Sequence, residues 1–232
     1  MREIVFDTET TGLSPVGGDR IVEIGCIEIF NRIETGRHFH AYFNPERAMP
    51  ADAEAVHGLT NVFLSDKPSF IELADDLLEF LEDSPLVAHN ASFDFSFLNF
   101  ELERCGRAQV CTSRMVDTLT LARTRHPGAK HSLDALCMRF GIDRSHRVKH
   151  GALLDAQLLA QVYVELTGGR QIGLGLVADA DQIRVDVSGG TVKVREPRIP
   201  RPHYAQAEEL ERHRAFIAKL VNPLWARFAE AS

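Results

Sequence analysis

The chain has 232 residues, 44% of them apolar, and a formal net charge of −7, enough for one sizeable core with an appendage and too acidic for a generic nucleic-acid coat. Cys26, Cys105, Cys111 and Cys137 lack C-x-x-C spacing and disulfide-like density, which points to free thiols in a reducing cytosol. No stretch approaches the roughly 18 apolar residues of a membrane span, and no signal-peptide profile precedes the first strand pattern, so a cytoplasmic protein without a membrane partner is expected.

Residues 3–7 read as a strand, followed by β-branched or extended runs at Arg20–Phe30 and Thr35–Phe43; the short connections predict an antiparallel meander. The period then changes. Phe70, Leu73, Leu77, Leu78 and Leu81 repeat at helical spacing behind a Ser69/Glu72 capping-box pattern. Leu86–Ala88 is a short buried strand, and Ala91–Cys105 a helix ending at Gly106. Asp117–Arg125 and Ser132–Phe140 read as helices, the second stopped by Gly141. Leu154, Leu158, Val162 and Leu166 mark the clearest helix, Gly151–Thr167, with Gly168-Gly169 as its stop. Strands first and α/β alternation afterwards predict one mixed sheet flanked by helices. Beyond about Leu176 two Gly and a cluster of Pro residues break any long element, so 177–205 reads as linker. Glu208–Phe228 regains helical periodicity around Trp225, with Pro223 set to break or kink it; this tail is predicted to fold back on the core or to dock on another protein.

The first strand ends in Asp7 and Glu9. In a strand, residues two apart share a face, so these carboxylates project side by side and repel unless a proton or cation sits between them. A second acid, Asp94, stands in His89-Asn90-Ala91-Ser92-Phe93-Asp94, where a strand hands over to a helix. A third segment, His150-Gly151-Ala152-Leu153-Leu154-Asp155, puts Asp155 at the edge of the last buried helical stripe and His150 in the preceding loop. Four acids from three distant segments suit a hard divalent cation such as Mg²⁺ or Mn²⁺, and the absence of cysteine from these segments counts against zinc.

The order Asp-x-Glu, Asp, His-x4-Asp resembles the DEDDh 3′–5′ exonucleases of the RNase H-like fold. Its surrounding words D-T-E-T-T-G, V-H-G-L, H-N-A-S-F-D and H-G-A-L-L-D-A match as well, across roughly residues 2–170. Ser132-Leu133-Asp134-Ala135-Leu136-Cys137, the form H-G-A-L-L-D-A-Q and the T-G-G ending narrow the resemblance to the proofreading (epsilon) subunits of bacterial DNA polymerase III. The resemblance implies a mixed five-stranded sheet with a C-terminal tail. It also implies two metal ions held by Asp7, Glu9, Asp94 and Asp155, His150 as general base, and release of nucleoside 5′-monophosphates from a DNA 3′ end. Asp7 would bridge both ions, with Glu9 on one. Asp7, Glu9, Thr10, Gly12, His57, Asn90 and Asp155 are the implied substrate contacts, Gly12 by allowing close backbone approach. His89 reads as a satisfied core histidine paired with Asp117. Arg123, Arg125, Lys130, His131, Arg144, Arg147 and Lys149 read equally as a solvated face or as phosphate contacts.

Gln171-Ile172-Gly173-Leu174-Gly175-Leu176 resembles the short peptide that inserts into the sliding clamp, through Gln171, Leu174 and Leu176. The division expected is therefore an exonuclease domain at 1–170, a linker with a clamp-binding peptide at 171–205, and a segment at 206–232 that docks on the polymerase alpha subunit through Trp225. A small accessory subunit is a further partner the resemblance allows. The five catalytic positions serve RNA as readily as DNA, so an RNA-trimming exonuclease or oligoribonuclease is the alternative, and an assembly adaptor the alternative of another class.

Overall fold

In the computed structural model, which describes residues 1–145, 147, 149–169 and 205–220, the N-terminal runs form three antiparallel strands, β1 (Arg2–Thr10), β2 (Ile21–Phe30) and β3 (Ile33–Tyr42). Two short strands, β4 (Leu86–Ala88) and β5 (Met115–Asp117), extend the sheet on the other side of β1 in parallel orientation. The order is β3-β2-β1-β4-β5, the mixed five-stranded sheet expected. The fifth strand, three residues of Met-Val-Asp, carries no period of its own and is recognisable only beside β4.

Among the described residues of the same unit the sheet is accompanied by the α-helices α1 (Ala51–His57), α2 (Asn61–Leu64), α3 (Phe70–Leu81), α4 (Ala91–Arg104), α5 (Thr118–Arg125), α6 (Leu133–Phe140) and α7 (Ala152–Leu166). At α3 the Glu72 carboxylate accepts from the Ser69 amide and hydroxyl at 2.7 and 2.8 Å, and Gly141 closes α6 at φ 67°, both as the sequence predicts. The sequence reading passes over α1 and α2 because each is too short to show a repeat.

Strand alternation assigns the two faces of β1. Ile4 and Phe6 enter the core with Phe70, Leu77, Phe95 and Leu98 of α3 and α4, while Val5 packs with Ala156, Leu159 and Tyr163 of α7. All three strand residues are fully buried, which contributes about 1.5–3 kcal/mol apiece. β4 pairs with β1 only at Ile4 and Val5. Beyond Phe6, β1 therefore has β2 on one side and an opening on the other, where antiparallel pairing gives way to parallel. Crevices at the carboxyl ends of strands, at such a reversal, are where open α/β sheets bind ligands.

Gly25 sets how closely α7 approaches. It pairs with Asp7 in the β1–β2 register, and a Cβ there would overlap the backbone of Ala152 and Leu153. The start of α7, and with it Asp155, thus lies directly on the sheet. The buried pair Arg20–Glu101, with Nε to Oε1 at 2.6 Å and Nη2 to Oε2 at 2.9 Å, ties the beginning of β2 to α4.

The chain divides into two compact units, 1–175 and 176–232. In the second, α8 (Ala207–Ile217) is described; its first turn is closed by Glu209, which accepts from the Gln206 amide at 2.9 Å. The helix expected to run to Phe228 gives way to turn at Ala218 and Lys219, ahead of Pro223. Its expected continuation through Trp225 lies outside the described residues, as do Gln171, Leu174 and Leu176.

Candidate metal centre

β1 delivers Asp7 and Glu9 beyond its pairing with β4, α4 delivers Asp94 in its first turn, and α7 delivers Asp155 in its first turn. Glu9, Asp94 and Asp155 are 8%, 3% and 3% exposed, far below what isolated carboxylates accept. Ligand atoms of Glu9, Asp155 and the exposed His150 lie within 4.8 Å of one another. Asp94 Oδ1 accepts from the Thr8 hydroxyl at 2.7 Å, so the residue between the two β1 acids positions the third.

The electrostatics show how strongly the acids of the cluster repel one another. Burial, then the charges of Asp94, Glu9 and Asp155, hold the Asp7 carboxyl well above the usual range. Burial, then repulsion from Asp155 and Glu23, pushes Glu9 up to about 8 against the attraction of Arg147. Burial raises Asp94 to about 7 despite the Thr8 hydrogen bond. Carboxylates that hold protons so firmly in a shared site are arranged for a cation of higher charge density, and an all-oxygen set with one imidazole fits a hard divalent ion. The chain's own residues therefore fit the metal expected of them.

Beside Glu9 opens a cavity of about 560 Å³, lined by Thr10, Gly12, Leu13, Val56, His57 and Phe93 among others. Three of its features add to the sequence reading. Thr10 commits its hydroxyl to the Gly12 carbonyl at 2.6 Å. Gly12 is required chiefly by its neighbour, since a Cβ there would overlap the Asp19 carboxylate, which accepts from the Ser14 amide at 3.0 Å and the Thr11 hydroxyl at 3.3 Å. Phe93, stacked near Phe97 at 4.9 Å between centroids, supplies an aromatic wall that sequence reasoning missed, although it stands one residue before Asp94. His57 is 6% exposed. Its Nδ1 accepts from the Leu59 amide at 3.0 Å, which leaves the proton on Nε2, and that nitrogen has no partner. Asn90 is not among the cavity's lining residues; it is exposed in left-handed backbone (φ 65°) before α4 and gives its amide to Asp117 at 3.0 Å.

A second, smaller cavity of about 230 Å³ lies on the other side of the acids, bounded by Asp7, His89, Asp134, Arg147, His150 and Asp155. His89 does not pair with Asp117 as expected. Its Nδ1 shares a hydrogen bond with the Thr118 hydroxyl at 2.8 Å, and that hydroxyl lies 3.2 Å from the Ala88 carbonyl. Asp117 is occupied instead with the amides of Asn90, Ala91 and Leu119 and the Thr120 hydroxyl, so it joins the starts of α4 and α5. Burial lowers the His89 pKa. Two further groups escaped the sequence reading. Glu23 stands opposite Glu9 in the ladder, 3% exposed and held by His40 Nε2 at 2.8 Å. Arg147, placed with the surface cations by its sequence, instead inserts into the acid cluster with its side chain 9% exposed. Both arise from contacts outside any regular repeat, across a ladder for Glu23 and within a loop for Arg147, for which one sequence carries no signal.

Residues 4–163 match the exonuclease family RNase T. The chain is 47% identical to the DNA polymerase III subunit epsilon of Rickettsia felis, with 95% of this chain and 97% of the relative covered. It is 40% identical to the subunit of that name from Escherichia coli K12, with 92% and 91% covered. Among solved structures it is similar to Exonuclease X in complex with 5′ overhanging duplex DNA, at 28% identity and a TM-score of 0.56 over 71% of this chain and 90% of that one. Its fold is also that of the nuclease domain of 3′hExo, a DEDDh family member bound to rAMP, at 16% identity and a TM-score of 0.62 over 72% and 91% of the two chains.

Proposed function

The chain belongs to the RNase T exonuclease family and, within it, with the DNA polymerase III epsilon subunits, and from that premise we propose a proofreading 3′–5′ DNA exonuclease that trims a primer end to nucleoside 5′-monophosphates as a subunit of the replicative polymerase. The observation that carries this reading is the convergence of four carboxylates from β1, α4 and α7 at the sheet's reversal point, with His150 beside them.

Asp7, Glu9, Asp94 and Asp155 would hold two divalent cations, Mg²⁺ or Mn²⁺. Bound there, such ions lower the pKa of a water and neutralise charge on the attacking and leaving oxygens of an in-line displacement. His150, exposed and just ahead of α7, takes the proton of the attacking water as general base. The larger cavity receives the terminal nucleotide. There Phe93 offers a stacking face, the unpaired Nε2–H of His57 a donor, and the turn through Thr10 and Gly12 a fixed floor; Asn90, outside that lining, would meet the nucleotide from the start of α4. The tail supplies the partners: Gln171, Leu174 and Leu176 for the sliding clamp, and the segment 206–232 with Trp225 for the polymerase alpha subunit. A small accessory subunit and a cytoplasmic setting belong to the same reading, with the exonuclease domain at 1–170 and the linker at 171–205.

Incubation of the purified protein with a 3′-mismatched DNA primer tests it. Release of 5′-monophosphates is expected with Mg²⁺ or Mn²⁺ and none with chelator. His150→Ala should retain Mn²⁺ binding and lose about 10²–10⁴ of kcat; unchanged hydrolysis by that variant would sink the base assignment. Equal trimming of an RNA primer would overturn the DNA assignment.

A further inference from the structure

Arg147 has no role in the reading above, yet it makes the densest set of polar contacts in the site. Nε donates to Asp155 Oδ1 at 2.6 Å and Nη2 to Asp155 Oδ2 at 2.7 Å, so both oxygens of that carboxylate sit in the guanidinium fork. Nη1 donates to Asp134 Oδ1 at 3.0 Å, and Nη2 also donates to His150 Nδ1 at 2.7 Å. Among the described residues from Gly141 to Gly151 there is neither helix nor strand. These bonds, with the Arg144–Asp134 pair at 2.8 Å, fasten the segment that carries His150 against the start of α7.

Two simpler roles do not account for this geometry. A residue kept for phosphate contact would present its guanidinium to solvent, whereas this one is nine-tenths buried and engaged by protein groups. A purely structural ion pair would avoid a carboxylate needed as a ligand, whereas here the fork takes a lone pair on each oxygen of Asp155 and sets a positive charge beside any cation that would use the remaining ones. Asp134 makes opening the fork cheap. It stands on α6, 43% exposed at its side chain, and already holds Nη1, so the guanidinium keeps a charged partner when it lets Asp155 turn. Only a planar, forked cation can hold Asp155, Asp134 and His150 together; an ammonium has neither the reach nor the shape.

We infer that Arg147 is a positioning residue that shares Asp155 with the incoming divalent cation: it holds the acid and the His150 segment in place beforehand, then pivots onto Asp134 as the cation takes Asp155, which also releases the Nδ1 lone pair of His150 for the proton it accepts. The inference rests on the reading of Asp155 as a metal ligand.

Calorimetric titration of the full chain with Mn²⁺, alongside kcat on a DNA primer, tests it with three variants. Arg147→Gln removes a competitor for Asp155 and should bind Mn²⁺ about three- to tenfold more tightly, while kcat falls about 10–100-fold because His150 loses its anchor. Asp134→Asn removes the alternative partner, so Arg147 grips Asp155 harder: Mn²⁺ should bind about three- to tenfold more weakly, with kcat again lowered. Opposite shifts in affinity from two partners of one contact are not produced by a loss of folding, which weakens both. The inference is overturned if Arg147→Gln binds Mn²⁺ no more tightly, if Asp134→Asn binds it no more weakly, or if kcat of Arg147→Gln equals that of the unaltered chain. Asp155→Asn separates the two levels: wild-type Mn²⁺ affinity in that variant removes the ligand reading itself, whereas its loss together with an unaltered Arg147→Gln removes the role of Arg147 only.

Discussion

Glu9 meets like charge from two directions, from Asp155 across the site and from Glu23 across the β1–β2 ladder, and the consequence is a pH dependence of known sign. In the folded protein Glu9 holds its proton up to about 8 and Asp94 up to about 7, against ordinary values of 4.5 and 3.8. Between those limits the folded state binds more protons than the unfolded one, so stability present at low pH is lost as pH rises through the folded values. Divalent cations replace those protons. Thermal unfolding in chelator should therefore give a lower Tm at about pH 8 than at about pH 5.5, and excess Mn²⁺ should raise Tm more at the higher pH. A chelator Tm that rises over this interval would contradict the assignment. Asp7 and Glu9 were legible in the sequence because strand alternation is a local rule: two positions apart means one face. Glu23, Arg147 and Phe93 were not, because each owes its place to the ladder register, a long loop or a helix phase set elsewhere in the fold.

Among the elements, α7 depends most on a single atom that is missing. The sequence reading gives Gly25 no role, and its purpose emerges only where α7 rests on β2. Gly25→Ala forces the helix start off the sheet. We expect a cost of about 1–3 kcal/mol, typical of overpacking, and a Tm lowered by roughly 2–4 °C for each kcal/mol. Because Asp155 rides on that first turn, kcat should fall further than stability alone explains, with the defect persisting below the melting range; a variant with full activity would mean that α7 tolerates the shift. The same comparison marks what local pattern can deliver. The capping residues of α3 and the glycine stop of α6 follow from backbone chemistry within a few residues, and the sequence displayed them. The short elements α1, α2 and β5 draw their stability from neighbours already in place, and the sequence did not.

For the whole molecule, the two units divide the labour proposed for them. Deleting residues 171–232 should leave primer trimming by the remaining chain within about twofold, since the acids, His150 and the lining of both cavities all precede the cut. The shortened chain should fail to co-elute with the polymerase subunit and the clamp, and Gln171→Ala with Leu174→Ala in the full chain should abolish clamp binding only. Retention of both partners after deletion would place the docking surfaces on the first unit. Within that unit, one helix serves two masters. Ala156, Leu159 and Tyr163 of α7 seal the core beneath β1, within about two turns of the acid that the chemistry needs. Natural selection for a durable protein and selection for faithful inheritance therefore fall on the same short stretch. A modest packing lesion there, harmless to polymerisation itself, would first be noticed in a growing culture as a raised frequency of new alleles.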